Sequence, residues 1–204
     1  MALIENLIQG GWLKTPEIIE AFLEIKRVDF LPEDMRNFAE INEALPIGHG
    51  QTISQPLVVA FMLELLQPRE GDRILDVGYG SGYTSALLGK IVGEKGKVIA
   101  IEVVPDVAEF GKINIAKYNF IEKGIIQCLT ADGSKGYEKE APYDKILASA
   151  SARTSPLAWK EQLKIGGKIV TPIGTSIWSF EKTGENEFKE CEYPGFAFVP
   201  LIEK

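Results

Sequence analysis

The chain has 204 residues and a formal net charge of −7, with 45% of its residues hydrophobic and 25% charged. This length and composition suit one soluble globular domain with a substantial core. The acidic balance weighs against a nucleic-acid partner, whose phosphates require a basic surface, and no apolar run reaches the about 20 residues that cross a bilayer.

Two amphipathic helices are predicted near the N-terminus, separated by an irregular loop. Thr15 is the expected N-cap of the first helix, with Pro16 in its first turn, and the second helix is expected at residues 57–66. The loop at 45–56 contains Ser54 and the only histidine, His49. Loops on a rigid scaffold concentrate binding residues, but Ser54 could also simply cap the next helix. We interpret His49 as an ordinary loop residue.

The run ILDVGYGSGY at 74–83 is the most informative stretch of the chain. An apolar strand closes on Asp76, alternating glycines form a turn, and a helix is predicted at 84–92. Glycines let the backbone approach a ligand closely, and the helix N-terminus behind them favours polar or anionic groups. A tight turn without a ligand is the less favoured alternative. The pattern therefore indicates a nucleotide-like cofactor.

The glycine spacing distinguishes between nucleotide cofactors. A dinucleotide fingerprint reads G-x-G-x-x-G, whereas Tyr83 occupies the position of its third glycine here. Asp76 would direct a carboxylate at the crevice, which suits a cation better than a pyrophosphate. S-adenosylmethionine carries a sulfonium and an ammonium group and no phosphate. It is the predicted cofactor, and an NAD-linked oxidoreductase is disfavoured.

Two further acids are predicted at the ends of the next strands. Glu102 closes the strand Lys97–Glu102, about twenty residues past the glycine turn, where an acid binds ribose hydroxyls. Asp132 follows a short strand at 125–129, from where it could accept a hydrogen bond from an adenine amine. Either acid alone could be a solvated loop residue or a helix cap. Three acids at three successive strand ends are harder to obtain by chance.

Alternating strands and helices continue to the C-terminus, as an open α/β sheet requires. We predict helices at 105–118 and at 156–163, the second closed by Gly166-Gly167, strands at 143–149 and 168–173, candidate final strands at 177–180 and 196–201, and an exposed hairpin or loop at 181–192. Cys128 and Cys191 show no metal-ligand spacing, so no metal site is predicted. The N-terminus lacks the features of a secretory signal, and a cytoplasmic setting is expected.

The loop LPIGHGQTISQP (45–56), followed by ILDVGYGSGY, resembles the protein-L-isoaspartate O-methyltransferase family. The glycine turn is shared by many methyltransferases, but the GQTISQP element is far more specific. The resemblance covers nearly the whole chain, through KRVDFLP (26–32), ADGSKGY (131–137), APYDKIL (141–147), EQLKIGGKIVTPIG (161–174) and FVPL (198–201).

The resemblance implies an α/β fold of the Rossmann-like class I methyltransferase type, with a doubly wound, mostly parallel seven-stranded sheet. One domain is expected over 1–204, with a helical extension and substrate loop at 1–70 and a cofactor-binding core at 71–204. The implied reaction transfers a methyl group from S-adenosylmethionine to the α-carboxylate of L-isoaspartyl residues in damaged proteins and peptides. The ester then collapses to a succinimide, which begins repair. A monomer is expected.

The resemblance also implies site residues. The active-site serine is Ser54, which would orient the acceptor carboxylate by donating a hydrogen bond, since a carboxylate needs no general base at neutral pH. Asp76 and the glycines would hold the methionine end of the cofactor, Glu102 the ribose and Asp132 the adenine. The full predicted cofactor set is Thr52, Ile53, Ser54, Asp76, Gly78, Gly80, Ser81, Gly82, Glu102, Asp132 and Gly133.

Several positions depart from the family pattern, mostly on the substrate side. Glu40 and Ile41 replace a usual aromatic and aspartate, Ala197 stands where a basic residue is common, and Tyr79 replaces a small hydroxyl residue. Arg153 could pair with a substrate carboxylate or be an ordinary surface arginine. Two alternatives therefore stay open: a methyltransferase of this fold with another carboxylate or small-molecule acceptor, and a non-catalytic binding module.

Overall fold

The computed structural model describes residues 2–203, which form six α-helices and nine β-strands. The helices are α1 (Ala2–Gln9), α2 (Pro16–Glu24), α3 (Pro56–Leu66), α4 (Tyr83–Val92), α5 (Pro105–Ala116) and α6 (Leu157–Gln162). The strands are β1 (Leu45–Gly48), β2 (Gln51–Ile53), β3 (Arg73–Val77), β4 (Lys97–Glu102), β5 (Ile126–Thr130), β6 (Tyr143–Ala148), β7 (Leu163–Ile173), β8 (Ser176–Lys182) and β9 (Phe188–Pro194). Short 3₁₀ turns lie at Arg27–Phe30, Glu33–Phe38, Gly133–Lys135 and Glu138–Glu140.

Seven strands form one mostly parallel sheet in the order β5-β4-β3-β6-β7-β8-β9. The pairs from β5 to β7 are parallel, and β8 and β9 add an antiparallel edge. This confirms the predicted doubly wound α/β fold. Because β4 and β6 lie on opposite sides of β3, the strand order reverses at β3. Open α/β sheets bind ligands at the carboxyl ends of the strands that flank such a reversal point.

The central strands are mostly apolar because both faces of the sheet are covered. On β3, Ile74 belongs to the core beneath the N-terminal helices and α4, whereas Leu75 belongs to a second core around Trp159 of α6. Ile74, Leu75 and Trp159 are each fully buried. Successive side chains on a strand point to opposite faces, so each strand contributes to both cores.

The N-terminal extension packs against the start of α4 through aromatic rings. Phe22 and Phe30 lie 6.1 and 5.4 Å from Tyr83, measured between ring centroids, and Phe30 stacks on Tyr118 at 5.7 Å. Tyr83 therefore anchors the extension at the position where a dinucleotide fold would place its third glycine.

Three local predictions need correction. The segment at 196–201 is not a strand, and its only β-bridge joins Pro200 to Ser151. The last strand is β9, which begins within the polar stretch at 181–192. Its exposed position at the sheet edge explains why no apolar pattern marks it. Gly166 and Gly167 lie inside β7 rather than at a helix end. The loop at 45–56 contains an antiparallel hairpin, β1–β2.

Thr15 is the N-cap residue of α2, as predicted, but its side chain has a tertiary partner. The Thr15 side chain makes no cap bond to α2. Instead, its hydroxyl donates to Oε2 of Glu64 on α3 at 2.7 Å, and Glu64 Oε1 accepts the backbone N–H groups of Lys14 and Thr15. A tertiary contact therefore replaces the local one.

Across the described residues, 2–203, no helix is long and apolar enough to cross a bilayer.

Candidate active site

A cleft of about 690 Å³ opens at the carboxyl ends of β3 and β4, at the reversal point of the sheet. Its walls come from the glycine turn, the end of β4, the hairpin β1–β2 and the segments that follow β6 and precede the C-terminus. Eight of the eleven predicted cofactor residues line it: Thr52, Ile53, Ser54, Gly78, Gly80, Ser81, Glu102 and Gly133. The fold thus brings together parts of the chain that are distant in sequence.

Asp76 does not line this cleft but lies fully buried behind its wall. The sequence predicts a carboxylate directed at the crevice; in the structure, Oδ2 accepts a 2.5 Å hydrogen bond from the hydroxyl of Ser85 in α4. Oδ1 has no hydrogen-bond partner among the described residues. Burial raises the pKa of Asp76 to about 7; the Ser85 hydrogen bond opposes this shift, and the nearby Glu102 carboxylate adds to it.

Glu102 lines the cleft and ties the glycine turn to the end of β4. Its Oε2 accepts the backbone N–H of Gly80 at 3.1 Å, and its Oε1 accepts those of Val103 and Val104 at 2.9 and 3.0 Å. A carboxylate offers about four acceptor sites. One site on Oε2 therefore remains for a ligand hydroxyl.

Gly82 serves helix packing rather than the cleft wall. It has φ +86°, and a Cβ there would lie 2.7 Å from the carbonyl oxygen of Gly111 on α5. The glycine therefore permits the close approach of α4 and α5, which a side chain would prevent.

Asp132 also lies outside the cleft lining and caps the short turn Gly133–Lys135. Its Oδ1 accepts from the backbone N–H of Ser134 at 3.0 Å and from the Ser134 hydroxyl at 2.7 Å. The side chain of Lys135 lies 3.3 Å from Oδ2. The helix-cap interpretation of Asp132 therefore describes its local role, while the adjacent Gly133 reaches the cleft.

A second cleft, of about 970 Å³, adjoins the first. Thr52, Ser54, Ser149 and Val199 line both, so the two clefts meet at these residues. No charged side chain lines the second cleft. Ser149 is a cleft residue that was not predicted; the available signal was a hydroxyl directly after the fourth core strand, on the ligand side of the sheet.

A buried guanidinium supports the loop that carries Ser54. Arg27 donates to the carbonyl oxygens of Ala39, Ile41 and Glu43 at 3.0, 3.2 and 2.8 Å, and to that of Ser54 at 3.4 Å. Burial lowers the pKa of Arg27 to about 10. Arg27 therefore joins the segment before β1 to the segment after β2.

The departures from the family pattern have different structural settings. Tyr79 is a packing residue: its hydroxyl donates to the carbonyl oxygen of Ala108 at 2.8 Å, and Gly111 leaves room for its ring. Glu40 and Arg153 are exposed and line neither cleft, whereas the exposed Ala197 lines the second. Tyr79 also lines the first cleft, and among the departures on the substrate side Ala197 is the one that lines a cleft wall.

A comparison with protein-family models shows which family the chain belongs to. The model described as Protein-L-isoaspartate(D-aspartate) O-methyltransferase (PCMT) matches residues 1–204. The chain belongs to this family. A protein-L-isoaspartate O-methyltransferase of Methanopyrus kandleri is 44% identical over 204 residues, covering 98% of this chain and 89% of the relative.

Solved structures agree on the fold. A Plasmodium falciparum structure described as a PCMT in complex with S-adenosyl-L-homocysteine superposes with a TM-score of 0.88 at 24% identity, covering 100% of this chain and 98% of that one. A second protein-L-isoaspartate O-methyltransferase structure gives a TM-score of 0.85 at 28% identity, covering 98% of this chain and 64% of that one.

The first cleft fits the cofactor of the PCMT family on charge. Among its lining residues the single charged side chain is the carboxylate of Glu102, so a cationic ligand is accommodated and a pyrophosphate would meet no positive partner. The unpartnered Oδ1 of the buried Asp76 is a further carboxyl oxygen outside the lining, and it would become anionic next to a cationic ligand. Within residues 2–203 there is no group of three or more histidine, cysteine, aspartate or glutamate side chains that could hold a metal ion.

Proposed function

We propose that this chain transfers a methyl group from S-adenosylmethionine to the α-carboxylate of L-isoaspartyl residues in damaged proteins and peptides. The resulting ester collapses to a succinimide, which begins repair. The observation that carries the proposal is that two clefts meet at Ser54. The only charged residue that lines the first cleft is the acid Glu102, and no charged residue lines the second. Membership of the PCMT family supplies the substrate class.

Cofactor binding is assigned to the first cleft and the residues behind it. When bound, S-adenosylmethionine supplies an electrophilic methyl group on a positively charged sulfur. Glu102 accepts hydrogen bonds from ribose hydroxyls, and Asp76 provides negative charge towards the methionine end. The remaining proposed contacts are Thr52, Ile53, Ser54, Gly78, Gly80, Ser81, Gly82, Asp132 and Gly133.

Acceptor activation is assigned to positioning rather than to a general base. A side-chain or main-chain carboxylate is ionised at neutral pH and is already nucleophilic. In an uncharged cleft no cation pairs with the acceptor carboxylate. A neutral hydroxyl donor such as Ser54 can orient this carboxylate, and it lowers the nucleophilicity of the carboxylate less than an ion pair would. The residues of the two clefts therefore contribute alignment and exclusion of water.

The setting and assembly of the protein belong to the same proposal. We infer that it acts in the cytoplasm, as a monomer, on proteins and peptides and not on nucleic acid or membranes. The two free thiols, Cys128 and Cys191, suit a reducing compartment, and the net charge of −7 suits a partner other than nucleic acid.

Paired synthetic peptides provide the direct test. One peptide contains L-isoaspartate and the other aspartate at the same position, and transfer from methyl-labelled S-adenosylmethionine is measured. We expect base-labile label on the isoaspartyl peptide alone. If neither peptide is labelled while calorimetry detects cofactor binding, the acceptor assignment is wrong. The uncharged wall at Ala197 would then favour a methyltransferase of the same fold acting on a different acceptor.

A further inference from the structure

Ser149 occupies the junction of the two clefts but belongs to neither the glycine turn nor the loop that carries Ser54. It follows β6 directly, and its backbone N–H donates to the carbonyl oxygen of Val77 on β3 at 2.9 Å. The central sheet therefore fixes its position. Its half-buried side chain lies among the residues that line both clefts.

Three hydroxyl groups at this junction make no hydrogen bond within residues 2–203: those of Thr52, Ser54 and Ser149. By contrast, the hydroxyls of Ser85 and Ser176 are taken up by the protein, on Asp76 and Glu192. Since no protein group occupies the three hydroxyls at the junction, they are available to a ligand in the clefts.

The second cleft must satisfy an anionic acceptor without a cation. No lysine or arginine lines it, and a carboxylate that loses its water without replacement hydrogen bonds is strongly destabilised. A carboxylate has two oxygens and about four acceptor sites, whereas one serine hydroxyl donates a single hydrogen bond. Ser54 alone therefore cannot satisfy both oxygens.

We propose that Ser149 is a second acceptor-binding hydroxyl, which donates a hydrogen bond to the acceptor carboxylate together with Ser54. This inference rests on the proposed function. Ser54 follows the hairpin β1–β2, whereas Ser149 is fixed to the sheet, so the two donors belong to different parts of the fold. Two such donors define the orientation of a carboxylate plane, which one donor does not. Ser149 thereby contributes to acceptor selection.

The test compares Ser149→Ala with a conservative variant and a matched control. Ser149→Thr keeps the hydroxyl. The matched control is Ser151→Ala, which removes a hydroxyl two residues along the chain. The Ser151 hydroxyl donates to the carbonyl oxygen of Gly174 at 3.3 Å, and Ser151 lines neither cleft. For each protein, kcat and KM are measured with the isoaspartyl peptide, and calorimetry gives the Kd of S-adenosylmethionine and, with S-adenosylhomocysteine bound, of the peptide.

We expect Ser149→Ala to lower kcat/KM for the isoaspartyl peptide and to weaken peptide binding by roughly 10-fold or more, the usual effect of losing a hydrogen bond to a charged group. Cofactor affinity should not change, Ser149→Thr should recover most of the loss, and Ser151→Ala should match the wild type. If Ser149→Ala also matches the wild type, or weakens cofactor binding as much as peptide binding, the inference is overturned while the proposed function stands. Failure of the wild type on the peptide overturns both.

Discussion

Two acids at the carboxyl ends of neighbouring strands, Asp76 and Glu102, illustrate how surroundings set the chemistry of a residue. Glu102 accepts three backbone N–H groups at the cleft wall. Asp76 has one hydroxyl partner and no exposed surface, and burial raises its pKa to about 7. Because a buried charge with few hydrogen bonds is unfavourable, a substantial fraction of Asp76 is protonated at neutral pH in the absence of ligand.

The titration of Asp76 should appear in the pH dependence of stability. Its pKa is about 7 in the folded state and near 3.8 when unfolded, so the folded protein binds the extra proton between these values. The free energy of unfolding should therefore fall as the pH rises through this window. Asp76→Asn should flatten that part of the profile, as measured by urea unfolding at several pH values. Asp106→Asn, at an exposed site, is the control; equal slopes in wild type and Asp76→Asn would contradict the assignment.

The proposed acceptor-binding role of Ser54 can be separated from cofactor binding by a single substitution. Ser54→Ala removes one proposed hydrogen bond to the acceptor carboxylate, and we expect kcat/KM for an isoaspartyl peptide to fall by about 10-fold or more. The Kd of S-adenosylmethionine, measured by calorimetry, should remain close to that of the wild type. An equal loss in both quantities would show that Ser54 maintains the cleft as a whole.

At the scale of elements, the hairpin β1–β2 depends on a residue outside it. Arg27 lies in the 3₁₀ turn Arg27–Phe30 and binds carbonyl oxygens on both sides of the hairpin. Asn42 adds a second connection, since its Oδ1 accepts the backbone N–H of Leu57 at the start of α3. The segment that carries Ser54 is thus held by side chains that satisfy its backbone, and not by strand pairing alone.

Replacement of Arg27 should loosen this segment selectively. Arg27→Lys supplies one ammonium group where a planar guanidinium with five donors now spans four carbonyl oxygens, so buried carbonyl groups lose partners. We expect the free energy of unfolding to fall by about 2 kcal/mol and hydrogen exchange to accelerate at 39–57. Arg36→Lys, at an exposed arginine on the neighbouring 3₁₀ turn, is the control. Unchanged exchange at 39–57 in Arg27→Lys would refute this role.

At the scale of the whole molecule, the extension and the cofactor core share one network of contacts. The Tyr118 hydroxyl donates to Asp29 Oδ2 at 2.7 Å and accepts the backbone N–H of Lys26 at 2.8 Å. On the core side, Asn114 of α5 donates to the carbonyl oxygen of Ser81 in the glycine turn at 3.1 Å. The extension and the glycine turn are therefore both bonded to α5 or to the segment that follows it.

We predict that the chain unfolds as one cooperative domain. Tyr118→Phe retains the ring contacts but leaves the exposed backbone N–H of Lys26 and the part-buried carboxylate of Asp29 without their hydroxyl partner, so stability should fall by about 1 kcal/mol. Hydrogen exchange in increasing denaturant should give one common midpoint for peptides from 2–70 and 71–203, in the wild type and in the variant. Separate midpoints would instead divide the chain into two units.

Local sequence signals were sufficient for most elements of the core. The apolar run of β4 and the proline at the start of α5 mark their own boundaries. The predicted bounds of β4 hold, whereas β3 ends at Val77, one residue past Asp76, and α5 ends at Ala116, two residues before its predicted end. The polar stretch at 181–192, predicted as an exposed hairpin or loop, lies in the hairpin β8–β9, whose edge strand needs no apolar face. The direction of the Asp76 side chain was missed because it depends on Ser85, a residue on another element.

By itself, the sequence determined the α/β class, the glycine turn at the reversal point of the sheet, the acid Glu102 at the cleft and the family to which the chain belongs. These features follow from periodicity and from motifs a few residues long. The tertiary structure was needed to show that Ser149 and Ser54 line the same two clefts, that the Asp132 side chain bonds Ser134, and that the Thr15 hydroxyl bonds Glu64. Such contacts join residues that are remote in sequence or compete with an equally good local bond, and packing alone selects between them.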